Sequence, residues 1–485
     1  SALFVVGGGI VILALAKALY ALFHIRAVDS FCAQAEVRMA TKLLRQITEA
    51  PFQWLTTKNA TILRELALAR SSEWARGSLR MLLQLSSDTL FLFFAVITIV
   101  LISPGVGIIV TLAAVAISVL LLRFSKSSLL RFAENKRIYS RRALLSATDA
   151  IMGGRDVRMS RAGRLLVDTF NADQTQFGVA EVGGRIFNAL PRQISEVIGV
   201  TVLVALGLSM LLSGMPKSEV SAIMILYGLV VVRALPVVSQ VIGSISTLYS
   251  SFPAVAELHS FTIEMSEQTP SGKNAPLTAL ENWSEVALKD VSFRYPQAKA
   301  PALSALNLSI RRGSRVGVVG PSGAGKSTLI DILVGLLRPS DGGVYVSGFP
   351  LTPELESAWQ QQIGYVAQSP FLVDGTLLDN VTLGADDRED REERCMEALH
   401  AAGLGPMLQS LPQGIYSRSG DLGGKLSGGQ RQRVAIARAL YRKATILVFD
   451  EATSALDSIT EREVVDGIFA LGRDVTVVII AHRLS

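Results

Sequence analysis

One uncharged run constrains the fold of this chain more than any other feature. Thr89 to Leu122 is a stretch of 34 residues without Asp, Glu, Lys or Arg. As one helix it would measure about 51 Å, which is too long for a single crossing of a hydrocarbon core of about 30 Å. Ser103, Pro104 and Gly105 interrupt it near its middle, and a Pro-Gly pair is a turn signal. The run therefore predicts two antiparallel membrane spans, 81–102 and 106–124.

Three more apolar stretches predict spans at 1–23, 195–213 and 219–246. The segments 24–88 and 123–193 carry nine and thirteen Lys or Arg, whereas the turn at 103–105 carries none. With five spans, both basic segments lie on the cytoplasmic side by the positive-inside rule. Five spans that end inside require residue 1 to begin outside, so we expect a missing first helix. Charged residues make up only 18% of the chain, which also argues against a purely soluble protein.

The chain divides into a transmembrane domain at 1–258, a linker at 259–285 and a second domain at 286–485. The cytoplasmic loops 24–80 and 125–193 keep apolar residues at helical spacing, so the membrane helices should continue into the cytoplasm. Pro51 and the pair Gly153-Gly154 should interrupt them. The second domain alternates strands near Val316, Ile363, Ile446 and Val475 with a helix from Lys326, which predicts a parallel α/β sheet.

A phosphate-binding loop occupies the start of that second domain. Gly320 to Thr328 reads GPSGAGKST and follows an apolar strand, which is the context of a P-loop. Its backbone N–H groups should wrap phosphate oxygens, helped by the positive end of the helix that follows. Lys326 should reach the β- and γ-phosphates, and the Ser327 hydroxyl should ligate a metal ion. The loop residues expected to bind ATP are Gly320, Ser322, Gly323, Gly325, Lys326, Ser327 and Thr328.

Acidic and basic residues at two further strand ends complete the predicted chemistry. Asp450 ends the apolar strand TILVFD and should hold Mg²⁺. Glu451 follows it and should polarise the attacking water. His482 comes after the strand VTVVII, at the sheet edge where α/β proteins bind ligands.

The pentapeptide LSGGQ, Leu426 to Gln430, lies 100 residues after the P-loop. With it, residues 286–485 resemble the ATP-binding cassette ATPases, and VSFRYP, YVAQSP and SALD match in register. The resemblance implies that Tyr295 stacks on adenine and that Gln368 contacts Mg²⁺. It also implies a second subunit, whose bound ATP contacts the LSGGQ segment of this chain. The residues it adds to the ATP site are Ser427, Gly428, Gly429, Gln430 and Asp457. The domain is expected to be truncated after His482.

The membrane half resembles the six-helix exporter type, so the chain should be a half-transporter that pairs with an identical or a related copy. It departs from the exporter pattern at Arg418, where many exporters have an acidic residue. The motif RALP at Arg233 to Pro236 and the segment Thr48 to Leu66 look like those of bacterial lipid-linked oligosaccharide flippases. An intramembrane Arg usually faces a cavity or an anionic partner, although pairing with Glu196 is an equal alternative.

These features predict an ATP-driven exporter or flippase in the bacterial inner membrane, with its nucleotide-binding domain in the cytoplasm. It would move a glycolipid or another amphiphile outward, with Lys17, Arg233 and His24 attracting the phosphate. The alternatives are a multidrug, lipid or peptide exporter, and a cassette protein that uses ATP to gate rather than to pump. Membrane lipid is an expected partner and nucleic acid is not.

Overall fold

A computed structural model describes residues 2–102, 104–214, 216–268, 280, 282–296, 298–385, 389–450 and 474–480. The chain divides into a helical unit, Ser1–Ala50 and Trp54–Gln268, and an α/β unit, Pro51–Gln53 and Thr269–Ser485. The two units are described separately.

Long helices dominate the helical unit, because most of its residues are apolar or good helix formers. Its helices are α1 (Ala2–Glu49), α2 (Phe52–Thr56), α3 (Ala60–Glu65), α4 (Ser71–Glu73), α5 (Arg80–Ile102), α6 (Pro104–Met152), α7 (Gly154–Met159), α8 (Gly163–Leu212) and α9 (Lys217–Gln268). They continue through Pro191 in α8 and Pro253 in α9. Two π-helical turns, Leu66–Arg70 and Trp74–Leu79, flank α4. The predicted interruptions at Pro51 and at Gly153 are confirmed by the gaps between α1 and α2 and between α6 and α7.

Each predicted span falls almost entirely within one long helix. α1, α6, α8 and α9 continue well beyond their spans, whereas α5 exceeds the span 81–102 by a single residue. α9 extends to Gln268, so the first ten residues of the predicted linker 259–285 are helical. Within the described residues, two segments are long and apolar enough to cross a membrane, namely Val11–Glu49 and Gly163–Leu212. All five spans remain predictions.

Buried ion pairs join α3, α6 and α9. Arg70, only 8% exposed, contacts Glu65 at 2.6 Å, Glu73 at 2.8 Å and Glu257 of α9 at 3.2 Å. Arg141 of α6 reaches both Glu65, at 3.3 Å, and Glu257. Because a buried charge is stable only when it is paired, this cluster ties three helices together at one level of the unit.

The described residues of the α/β unit form two four-stranded sheets. Its strands are β1 (Glu285–Phe293), β2 (Leu303–Arg311), β3 (Arg315–Val318), β4 (Asp341–Val346), β5 (Phe349–Pro350), β6 (Ile363–Val366), β7 (Ile446–Asp450) and β8 (Thr476–Ile480). An antiparallel sheet has the order β2-β1-β4-β5, and a parallel sheet has the order β3-β8-β7-β6. The predicted parallel sheet is thus confirmed, whereas the antiparallel sheet was not predicted.

Helices pack on both sheets of this unit and divide its core into two clusters. They are α10 (Lys326–Leu333), α11 (Pro353–Gln361), α12 (Leu377–Val381), α13 (Arg391–Ala401), α14 (Gly405–Ser410) and α15 (Gly428–Tyr441). One cluster centres on Trp283 and Trp359, whose rings meet edge to face at 5.7 Å. The other contains the buried face of α15, including Val434 and Ile436.

Candidate nucleotide-binding site

The predicted site residues meet at one edge of the parallel sheet. Val318 at the end of β3 pairs with Ile480 of β8, and Ile480 pairs with Asp450 of β7. Phe449 in turn pairs with Val366 at the end of β6. Neighbouring strands are about 4.8 Å apart, so the loops that follow these strand ends form a continuous row.

The P-loop connects β3 to α10, as predicted, and its glycines are required by its backbone. Gly323 and Gly325 have φ values of +79° and +85°, which disfavour residues with a Cβ. At Gly325 a Cβ would lie 2.5 Å from the carbonyl oxygen of Ala302, so no side chain fits there. Gly325 caps α10, and the first N–H groups of this helix are available to an anion.

Lys326 lies at the centre of the loop. Its side chain is buried, and its Nζ donates to the carbonyl oxygens of Gly320 at 2.8 Å and Pro321 at 3.0 Å. Ser322 and Ser327 are exposed. The loop therefore presents a cation, N–H groups and a hydroxyl on one accessible surface, which is the donor set that a polyphosphate needs.

Thr328 and Tyr295 are joined to each other. The Thr328 hydroxyl is buried and lies 3.1 Å from the Tyr295 Oη. The Tyr295 ring packs edge to face on Phe293 at 4.9 Å and remains 38% exposed. Both residues are thereby held beside the P-loop helix, and the stacking of Tyr295 on adenine stays a prediction.

Asp450 has a neighbour that the sequence analysis missed. The Tyr365 hydroxyl of β6 donates to Asp450 Oδ2 at 3.2 Å. Burial first, and then the charge of Asp450, raises the pKa of Tyr365, so this phenol remains a donor at neutral pH. The same two causes raise the pKa of Asp331 on α10 to about 6. The Tyr365 hydroxyl therefore helps to orient the Asp450 side chain.

Gln368 is exposed two residues beyond β6, on the same sheet edge as Asp450. This position suits its predicted contact with Mg²⁺. Glu451, Asp457 and His482 lie outside the described residues, and their predicted roles stay predictions.

The signature segment forms the start of α15. The Ser427 hydroxyl accepts from the Gln430 backbone N–H at 3.2 Å, and the Gln430 side chain accepts from the Ser427 N–H at 2.8 Å. This capping box fixes the first turn. Gly428 and Gly429, in that turn, have no side chains that could cover its remaining N–H groups. The turn therefore presents a second anion-binding helix end.

The residues predicted to contact substrate are not part of this site. Lys17 is exposed on α1, and His24 is half-buried with its ring 6.1 Å from that of Tyr20. Arg233 belongs to α9, and its side chain lies outside the described residues. In the α/β unit, Arg418 forms an ion pair with Asp374 at 3.4 Å.

Two partners of the site had only weak signals in the sequence. Tyr365 is a polar residue in an otherwise apolar strand, three residues before Gln368, and that position was the one available hint. Asp331 interrupts an apolar helix in the same way. Neither contact follows a spacing rule, because each joins residues that are far apart in the sequence.

Comparison with known proteins agrees with this geometry. Residues 303–454 match the family model described as ABC transporter. The "ABC multidrug transporter mdr1" of Aspergillus fumigatus is 43% identical over 202 residues, which are 41% of this chain and 15% of that protein. The "ATP-dependent lipid A-core flippase" of Cupriavidus pinatubonensis is 42% identical over 202 residues, 41% of this chain and 34% of that protein. The matches thus span about a third or less of these relatives.

A solved structure, titled "Structure of a bacterial Atm1-family ABC exporter with ATP bound", resembles the chain with a TM-score of 0.84 and 21% identity. The match covers 96% of this chain and 81% of that one. Fold and site together define a P-loop nucleotide-binding unit preceded by a long-helix unit. Residues 303–454 of the α/β unit thus match the ABC transporter family model, and the chain has the fold of that ABC exporter.

Proposed function

We propose that this chain is one half of an ATP-driven membrane exporter or flippase. The observation that carries the proposal is the sheet edge that gathers the P-loop, Asp450 and Gln368 on a chain with an exporter fold. Two copies would bind ATP between them, each contributing a P-loop and the first turn of α15. The partner is an identical or a related half-transporter.

The residues of the site have different proposed roles in binding and hydrolysing ATP. The loop N–H groups and Lys326 bind the β- and γ-phosphates, for which Lys326 exchanges its two carbonyl contacts. Ser327, Asp450 and Gln368 would hold Mg²⁺, which neutralises charge on the phosphates. Glu451 would orient the attacking water, and His482 follows β8 in the sequence. The Ser427 turn of the other copy would bind the γ-phosphate.

The transported molecule is proposed to be an amphiphile with an anionic headgroup, such as a lipid-linked oligosaccharide or another glycolipid. Support comes from the flippase-like motifs near Pro51 and at Arg233, and from the relative named as a lipid A-core flippase. The multidrug transporters among the relatives support a second candidate, export of apolar drugs. The membrane would be the bacterial inner membrane, with the α/β unit in the cytoplasm.

ATPase assays on the purified full chain test the ATP part of this function. Glu451→Gln should lose hydrolysis but keep ATP and form nucleotide-dependent dimers, whereas Lys326→Ala should lose ATP binding. Wild-type hydrolysis that is independent of Glu451, or a chain that stays monomeric with ATP and still hydrolyses it, would refute the shared site. An ATP-gating protein without transport would hydrolyse ATP but move no lipid.

Translocation in reconstituted vesicles tests the substrate. A polyprenyl-phosphate-linked sugar should cross in an ATP-dependent manner, while a cationic drug should not. The opposite preference would favour the multidrug candidate. Arg233→Ala should reduce glycolipid transport and leave basal hydrolysis unchanged, and full transport in that variant would remove Arg233 from the proposal.

A further inference from the structure

A cavity of about 530 Å³ lies within the helical unit. None of the residues that line it is assigned above to ATP. Its walls come from α4 with its flanking π-helical turns, α6, α8 and α9. Pockets that hold drug-sized ligands have volumes of about 300–1,000 Å³. The cavity is therefore large enough for a ligand of its own.

Cations outnumber carboxylates on its wall. Five cationic side chains line it, namely Arg70, Arg76, Lys136, Arg137 and Arg185, together with two carboxylates, Glu73 and Glu181. The four arginines form ion pairs, for example Arg185 with Glu181 at 2.6 Å. A guanidinium has five N–H donors, and each of these pairs uses only some of them. Donors therefore remain for an anionic ligand.

Lys136 differs from the arginines. Its ammonium lies over the ring of Phe177, 5.7 Å from the centroid, and no carboxylate in the described part of the chain forms an ion pair with it. The side chain is exposed and lines the cavity. An ammonium is a compact point charge with three donors, so Lys136 is the cation most available to a phosphate oxygen.

A buried acceptor in the same wall also lacks a partner. Asn188 donates from Nδ2 to the Thr247 hydroxyl at 3.3 Å, but its buried Oδ1 accepts no hydrogen bond from the described residues. A buried polar atom without a partner is destabilising, which is why such atoms are rare in native proteins. A ligand hydroxyl or amide that donates to Oδ1 would remove this penalty.

The rest of the wall is mostly apolar, although Ser72, Ser140 and Ser250 also line it. Its apolar side chains include Leu129, Phe132, Ala133, Ala180, Pro253 and Ala254. Phe132 of α6 packs on Gly183 of α8 so closely that a Cβ there would lie 2.5 Å from the ring. α6 and α8 therefore keep this part of the wall in place. The cavity combines an apolar surface, cations and an unpaired acceptor.

From these contacts we infer that the cavity binds the headgroup region of an anionic, hydroxyl-bearing amphiphile. Lys136 and the free N–H groups of Arg137 and Arg185 would bind its phosphate, and Asn188 Oδ1 would accept from a sugar hydroxyl. This inference rests on the proposed function, because it assigns the glycolipid headgroup to these residues.

Titration calorimetry on the purified full chain tests the site with farnesyl phosphate, farnesyl phosphoryl mannose, farnesol and inorganic phosphate. Lys136→Ala should weaken binding of both farnesyl phosphates about tenfold. Lys126→Ala is the matched control, because Lys126 is on the same helix with its ammonium over Tyr249 and outside the cavity. Asn188→Leu should weaken only the mannose compound. Lys126→Ala should change neither these affinities nor the basal ATPase activity.

Three outcomes would overturn the inference: farnesol binding as tightly as farnesyl phosphate, free phosphate binding equally well, or Lys126→Ala and Lys136→Ala behaving alike. Its failure can be told apart from failure of the proposed function. If Lys136→Ala still transports glycolipid, the cavity is not the headgroup site, but the proposed flippase function stands. If binding depends on Lys136 but no ATP-driven transport occurs, the cavity is a binding site and the flippase function is refuted.

Discussion

Replacing Arg70 by Met should destabilise the helical unit strongly. The Arg70 side chain is 9% exposed, and its removal takes a cation from Glu65, which is 6% exposed, and from Glu257. Breaking a buried ion pair from one side costs about 3–5 kcal/mol. Arg141 still contacts both carboxylates, so we expect the lower end, about 3 kcal/mol.

The two cysteines provide the assay. Cys32 is buried in the helical unit and Cys395 in the α/β unit. In a Cys395→Ala background, a thiol-reactive dye therefore reports the unfolding of the helical unit alone. A change of 1 kcal/mol shifts the melting temperature of a domain of this size by about 2–4 °C, so Arg70→Met should lower it by roughly 6–12 °C.

Arg142→Met is the control, because Arg142 is exposed and its guanidinium lies 5.8 Å from the Tyr139 ring centroid. It should change the melting temperature little. Adding Glu65→Gln to Arg70→Met should restore part of the loss, since it leaves Arg141 with one buried carboxylate to neutralise instead of two. Equal melting temperatures for Arg70→Met and Arg142→Met would refute the argument that these buried pairs hold the helices together.

Three further predictions concern the α/β unit. Gly325→Ala should lower ATP affinity at least tenfold, whereas Gly348→Ala, with the same φ of +85° but no atom near its Cβ, should not. Tyr365→Phe should weaken Mn²⁺ binding to the ATP-loaded protein, measured by electron paramagnetic resonance, because it removes the hydrogen bond that orients the Asp450 side chain. Asp331→Asn should raise the melting temperature of this unit at pH 7.5, and the gain should vanish as the pH falls towards 4.

The sign of the last prediction follows from the raised pKa of Asp331, about 6 when folded against 3.8 as the ordinary value. The folded state keeps a proton that the unfolded state releases, so stability falls as pH rises through this window. An Asn variant without any pH-dependent gain would contradict this. Unchanged Mn²⁺ affinity in Tyr365→Phe, or equal ATP affinities for the two glycine variants, would contradict the other two.

Local patterns account for what could be predicted. The P-loop, the strands β3, β6, β7 and β8 and the breaks at Pro51 and Gly153 each follow from a short motif, an apolar run or a breaker residue. The antiparallel sheet was missed because its pairing depends on partners up to about sixty residues apart, such as Val286 with Val346. Periodicity within one segment does not reveal such partners.

The same limit applies to the sites. Lys326 and Ser427 were found because each belongs to a contiguous motif, and the structure places both at helix starts. The pairing of Arg70 with Glu257, and of Tyr365 with Asp450, depends on the packing of separate elements. The sequence presents these residues as ordinary surface charges and a strand tyrosine.

The length of the helices has a mechanical consequence. α8 has 50 residues and, unless bent, measures about 75 Å. A rigid rod of that length that tilts by about 5° about one end moves its other end by roughly 6.5 Å. A small tilt of the helix about one end can thus displace its other end by more than the spacing between neighbouring residues. No local unfolding is needed.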